Sequence, residues 1–202
     1  MTGSTTPAGS ARRATVERTT NETRVEVRID LDGTGTVDVA TGVPFFDHML
    51  DQLGRHGGFD LLVKADGDLE IDAHHTVEDT GIVLGQAFKE ALGDKRGVRR
   101  FASIAVPLDE ALVDAVVDLS GRPFVVYDLP VNVERIGTFD PQLMEEFWRA
   151  FAVAAGVTLH VNLRYGKNAH HIVEASVKGV ARALRDAVRI EGSALPSTKG
   201  VL

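Results

Sequence analysis

The sequence predicts an α+β protein built by tandem duplication of a βββαβα unit, with the helices packed on one face of each sheet. Three observations carry that expectation. The stretch A-H-H-x-V-E occurs at residues 73–78 and again at 169–174. Each copy opens a helical pattern near the end of its half. Ahead of each copy runs the same succession of three strand-like runs, one helical run and one further strand-like run.

In the first half, residues 14–20 and 23–31 alternate, with Val25, Val27, Ile29 and Leu31 on one side and Arg24, Glu26, Arg28 and Asp30 on the other. A period of two marks a half-buried strand. Asp32, Gly33, Thr34 and Gly35 follow, and no helix starts directly after them, so the glycines read as a hairpin turn and not as a phosphate-cradling loop. A short third strand runs through Val37 and Val39. Gly42-Val43-Pro44 breaks it, and residues 45–54 form a helix with Phe46, Met49, Leu50 and Leu53 on its apolar face, ended by Gly57-Gly58. Residues 59–65 are a fourth strand. The first A-H-H-x-V-E then opens a helix through Ile82, Leu84, Phe88 and Leu92, closed before Gly93.

The second half repeats the order. Strands are expected at 101–107, 111–119 and 123–129, a helix from about 141 to 154, and a strand at 157–163. The second A-H-H-x-V-E opens a closing helix through Val177, Val180, Ala183, Leu184 and Val188. The organisation expected is therefore a disordered tail at 1–13, a first repeat at 14–95, and a second repeat at 96–202 with its C-terminal tail, the two repeats forming one compact domain.

Composition narrows the function. With 22 basic against 29 acidic side chains the net charge is −7, which argues against a nucleic-acid partner or an anionic membrane surface. No apolar run approaches a membrane-spanning length, and residues 1–12 lack the apolar segment of a secretory signal, so a cytosolic protein is expected. The chain has no cysteine, so any metal is held by imidazole and carboxylate, a donor set suited to manganese, iron or zinc.

Four of the seven histidines lie in the two A-H-H-x-V-E stretches. At the start of a helix the first His and the Glu are four residues apart on one face, so His74 with Glu78, and His170 with Glu174, can grip one ion. The second His, His75 or His171, faces about 100° further round the turn and is free to serve a different ion. A single copy could be a surface pair of imidazoles beside a carboxylate. Two copies with matching flanks point instead to a duplicated metal site. On the preceding helix of each half, His48 lies 26 residues before His74 and Glu146 lies 24 before His170, equivalent places for a further ligand.

Basic residues gather at 95–100, at 120–123 around Arg122, and at the C-terminus around Lys199. Each is most simply a solvated loop. Together with Lys178, one turn beyond Glu174, they are also suited to a phosphate, which Arg forks and a Lys point charge recognise.

These stretches, GVPFFDHMLDQLGRHGGFD, AHHTVEDTGIVLGQA, GDKRGVRRF, PLDEAL, DLSGRPF, NAHHIVEASVKGVARALRDAV and LPSTKGVL, resemble the imidazoleglycerol-phosphate dehydratases of histidine biosynthesis, over nearly the whole chain from residue 14. The resemblance implies two βββαβα repeats, dehydration of D-erythro-imidazole glycerol phosphate to imidazole acetol phosphate, two Mn2+ per active site, and trimers that assemble into a homo-oligomer of 24 subunits with shared active sites. It implies His48, His75, His170 and Glu174 as ligands of one ion, and His74, Glu78 and His171 as three ligands of the other. The family's fourth ligand there is commonly a His in a motif resembling EHFF. Here the stretch is Glu145-Glu146-Phe147-Trp148, so Glu146 is expected to coordinate or to hold a metal-bound water. Glu22 matches the family's acid/base glutamate, although by itself it reads as an exposed turn carboxylate. Gln52, His56, Arg100, Arg122, Lys178, Ser197 and Lys199 match positions that contact the phosphorylated imidazole substrate.

The hydrogen removed from the glycerol chain is not next to a carbonyl, so simple enolate chemistry is excluded. An anionic imidazole ring can expel the adjacent hydroxyl, after which Glu22 takes the neighbouring proton and the enol relaxes to the ketone. Two competing functions fit parts of the pattern. A metal-binding or storage shell without turnover needs neither Glu22 nor the phosphate cluster. A dinuclear hydrolase explains the metals but not the full-length resemblance.

Overall fold

The computed structural model describes residues 12–200 and 202. The tail expected at 1–13 lies outside the described residues up to position 11, but Arg12 and Arg13 belong to the fold. Arg12 donates to the Val188 carbonyl at 2.6 Å and is ion-paired with Asp32, and Arg13 opens the first strand.

The first half contains β1 (Arg13–Thr19), β2 (Thr23–Asp30), β3 (Val37–Ala40), α1 (Pro44–Gly57), β4 (Asp60–Gly67) and α2 (His74–Leu92). The second contains β5 (Phe101–Leu108), β6 (Ala111–Asp118), β7 (Phe124–Asp128), α3 (Leu143–Ala155), β8 (Thr158–Tyr165) and α4 (Ala169–Ala187). The twofold βββαβα order is as the periodicity indicated, with element ends moved by one to three residues. Pro44 starts α1, where its missing N–H costs nothing. Gly58 and Gly156, both left-handed, close α1 and α3 at matching places.

Each half forms one four-stranded sheet, in the orders β1-β2-β4-β3 and β5-β6-β8-β7. The hairpin expected at residues 32–35 is not there. β3 does not pair with β2 at all but runs parallel to β4, which is inserted between them antiparallel to β2. The glycines instead let the chain wrap the Asp60 carboxylate, which accepts from the Thr34 and Thr36 N–H groups at 2.8 and 2.9 Å. A strand that arrives only after α1 has taken the central place, and adjacency in sequence could not reveal it. β7 repeats the arrangement beside β8.

The inward faces of β2 (Val25, Val27, Ile29) and β6 (Val113, Ala115, Val117) are buried, while Arg24, Arg28 and Val116 on the other faces are exposed. The helices lie between the sheets: α1 packs on α4 and α2 on α3, each pair joining the two halves. A single core results, with Phe46, Phe88, Phe147, Trp148 and Phe151 at its centre. The α2–α3 approach is close enough to require glycine. A Cβ on Gly81 would lie 2.7 Å from the Phe147 carbonyl, and one on Gly85 2.5 Å from that of Phe151. No helix of the described residues is long and apolar enough to cross a membrane.

Candidate metal centre

Both A-H-H-x-V-E stretches open helices, and the residue two places before the first His fixes where each helix starts. Asp72 accepts from the His74 N–H at 2.7 Å. Asn168, at the matching place, accepts from the N–H groups of His170 and His171 at 2.9 and 3.3 Å. Such caps satisfy free N–H groups of the first turn and so anchor the imidazoles at the helix mouth.

Within each pair the rings are nearly perpendicular, at 84° for His74 with His75 and 82° for His170 with His171. The first His of each pair faces its own glutamate four residues on: His74 Nε2 lies 3.9 Å from Glu78 and His170 Nε2 lies 2.9 Å from Glu174 Oε2. His48, from α1, brings its Nε2 to 3.2 Å from that same Glu174 oxygen. Among the described residues, His48, His170 and Glu174 are the group whose ligand atoms gather closely enough for one ion, within 4.8 Å. Phe45 packs edge-on against His170 with ring centres 5.3 Å apart and forms an apolar wall. A borderline divalent ion fits this donor set of two imidazoles and a carboxylate.

Glu174 sits in a competition of effects. Burial raises its pKa, but hydrogen bonds from Lys178, His48 and His170 outweigh burial and bring it down to about 2. Along α1, His48, Gln52 and His56 recur every four residues, and along α4 so do Glu174, Lys178 and Arg182. His56 Nε2 donates to Gln52 Oε1 at 3.1 Å. Burial lowers the His56 pKa, and the nearby cations Lys178 and Arg182 lower it further. The facing stripes therefore run from a metal-capable end to a cationic end. Arg182, without a hydrogen bond or ion pair among the described residues, escaped the sequence reading, although its spacing from Lys178 was the signal.

The second histidines are held differently. His75 Nδ1 donates to Asp68 at 2.9 Å, and Glu22 lies 3.9 Å away. His171 Nδ1 donates to Glu110 Oε2 at 2.7 Å. These carboxylates raise the pKa of both rings, and Glu110 itself is held down to about 2, chiefly by His171 and then by backbone N–H groups. Neither Asp68 nor Glu110 was identified from sequence. Glu22 rides on a fixed turn: Thr20 Oγ1 accepts from the Glu22 and Thr23 N–H groups at 3.1 and 3.0 Å, and the Thr23 hydroxyl binds the buried Asp79.

His75 stands outside the group formed by His48, His170 and Glu174 within this chain. Glu146, on α3, lies 3.6 Å from Arg149 and is not gathered with His74 and Glu78 into a group of three. The basic residues separate into two places. Lys178 lies on the α4 stripe, 2.5 Å from Glu174 Oε1. Arg100 pairs with Asp118 at 2.7 Å and donates to the Pro196 carbonyl, which holds the C-terminal segment carrying Ser197 and Lys199 near the start of β5. Arg122 follows the next strand, its N–H bound to Ser120 Oγ at 3.1 Å. Lys95 is buried and donates to the Leu119 carbonyl, so the 95–100 cluster is not one cationic surface.

Comparison with known proteins points one way. Residues 41–184 match the family model described as imidazoleglycerol-phosphate dehydratase. The chain is 60% identical over 192 residues to the imidazoleglycerol-phosphate dehydratase of Acidothermus cellulolyticus, covering 95% of this chain and 93% of that one. It is 57% identical over 195 residues to the protein of that name from Acidiphilium cryptum, covering 95% and 100%. Among solved structures, the dehydratase of Staphylococcus aureus superposes with a TM-score of 0.79 at 38% identity, covering 87% of this chain and 97% of that one. That of Pyrococcus furiosus, in complex with (S)-C348, gives 0.82 at 38% identity, covering 93% and 100%.

Proposed function

The chain belongs to the imidazoleglycerol-phosphate dehydratase family, hydro-lyases of histidine biosynthesis, and from that premise we propose that it dehydrates D-erythro-imidazole glycerol phosphate in the cytosol with two Mn2+ per active site. The observation that carries the metal reading is the convergence of His48, His170 and Glu174, with the cations Lys178 and Arg182 further along α4 beside His56. His48, His75, His170 and Glu174 would hold one ion, and His74, Glu78, His171 and Glu146 the other. Because His75 lies apart from its proposed partners in a single chain, this reading calls for a second copy to complete the site, consistent with trimers assembled into 24 subunits.

Bound Mn2+ supplies Lewis-acid polarisation of the substrate imidazole. The chain's own side chains do the rest. Lys178, with Gln52, His56, Arg100, Arg122, Ser197 and Lys199, binds the substrate and anchors its phosphate, remote from the bonds that change. Glu22 takes the proton from the carbon next to the one that loses its hydroxyl. The hydroxyl takes up a proton and leaves as water, the proton lost from carbon to Glu22 balancing it over the cycle, and the enol formed becomes the ketone of imidazole acetol phosphate. The turn built by Thr20, Thr23 and Asp79 holds Glu22 for this step.

The test is dehydration of imidazole glycerol phosphate by chelator-stripped protein before and after Mn2+ is added. Product only with metal is the expected result. Stoichiometric Mn2+ binding without product would overturn the catalytic reading in favour of metal storage.

A further inference from the structure

Glu22 and Glu110 are duplicates of one another. β2 and β6 are the equivalent second strands, each of eight residues with alternate positions buried. Glu22 stands three residues ahead of the buried Val25, and Glu110 three ahead of the buried Val113. Both turns lead to the second His of a metal motif, yet the contacts differ. Glu110 Oε2 touches His171 Nδ1 at 2.7 Å, whereas Glu22 Oε2 remains 3.9 Å from His75 Nδ1.

The reason lies one strand away. Directly after β4 comes Asp68, which takes the His75 Nδ1–H at 2.9 Å. Directly after β8 come Gly166 and Lys167, which offer no carboxylate, so the task stays with Glu110. A ring whose Nδ1 donates to a carboxylate carries its proton there and presents the Nε2 lone pair outward, the form that binds a metal.

From this geometry we infer that Asp68 and Glu110 are positioning residues that hold His75 and His171 with Nε2 available to metal. Asp68 has relieved Glu22 of that task, and the relieved copy is the one left free to move a proton. The inference rests on the metal-site reading proposed above.

Glu110 offers a clean separation of positioning from structure, because its two oxygens have different partners. Oε1 accepts from the Lys167 and Asn168 N–H groups at 3.1 and 2.7 Å, and Oε2 faces His171. In Glu110→Gln the amide oxygen keeps the backbone contacts while the NH2 turns to His171. Nδ1 must then accept, and the ring proton moves to Nε2, where it blocks the metal.

Mn2+ affinity, read from the electron paramagnetic resonance signal of free Mn2+, is measured on the full chain with thermal unfolding of the metal-free form alongside. Glu110→Gln is expected to weaken Mn2+ binding by about 10–100-fold with the metal-free unfolding temperature unchanged. Asp68→Ala is expected to weaken it similarly and carries the test if Glu110→Gln fails to fold. Glu22→Gln is expected to leave Mn2+ affinity unchanged. Wild-type affinity in both Glu110→Gln and Asp68→Ala overturns the inference while leaving the proposed function standing, as does a Glu22→Gln loss equal to that of Glu110→Gln. A wild-type chain that takes up no Mn2+ overturns the metal reading, and the inference with it.

Discussion

Lys178 Nζ lies 2.5 Å from Glu174 Oε1, one turn further along α4. With that oxygen occupied by a cation, Oε2 is the one left to face the imidazoles of His48 and His170. The glutamate thus ties the metal-capable imidazoles to the cations further along α4. Loss of Lys178 is expected to disturb both at once.

Acid stability follows from the same carboxylate. Its folded pKa is depressed from 4.5 to about 2, so its stabilising contribution is present above 4.5 and is lost as pH falls toward 2. The thermal midpoint of metal-free protein is expected to drop through that window. Glu174→Gln is expected to flatten the drop, since the group that titrates is gone. Differential scanning calorimetry from pH 5 to pH 2 checks this.

Glu22→Gln removes the proposed base without changing the shape of its turn, which is held by Thr20 and not by the carboxylate. The kcat for dehydration is expected to fall roughly 10^2–10^4-fold, the usual range for a positioned acid or base, with KM little changed. Parallel loss of binding in steady-state kinetics would remove Glu22 from that role.

Glu146 and His48 stand at corresponding places on α3 and α1, one an oxygen donor and the other a nitrogen donor. Imidazole favours zinc, while carboxylate suits manganese. Glu146→His is expected to raise Zn2+ affinity relative to Mn2+, as competition titrations would show. An unchanged ratio would place Glu146 outside the metal shell.

Gly85→Ala tests the seam between the halves. Helix propensity alone favours alanine by about 1 kcal/mol. The added Cβ, however, meets the Phe151 carbonyl at 2.5 Å and Ala154 Cβ at 2.7 Å, and helix backbone cannot swing aside. Overpacking costs about 1–3 kcal/mol, so a net loss of stability is expected in urea unfolding.

Much of the architecture was legible because its signals are periodic or repeated. The alternation of β2 and β6, the glycine ends of α1 and α3, and the two A-H-H-x-V-E stretches are all local patterns, and the divergence of each adjacent His pair to different partners follows from 3.6 residues per turn. What escaped depends on strand order. β4 enters between β2 and β3, so the glycines at 33 and 35 wrap Asp60 and make no hairpin. The same fold-level placement brings Glu110 to His171 from a segment 61 residues away, while Asp68 reaches His75 from only seven residues back, across the turn between β4 and α2. Glu110 still left a trace, directly before β6 and three residues before the buried Val113, as Glu22 is directly before β2 and three before Val25.

The pairing of α1 with α4 and of α2 with α3 has a consequence for synthesis. A first repeat emerging from the ribosome can close its own sheet once β4 is made, but the apolar faces of α1 and α2 then await helices still untranslated. A polypeptide cut at its point of duplication would give two sticky pieces, each offering what the other lacks. Activity from such fragments is expected on co-expression, when each can cover the other, and from neither alone.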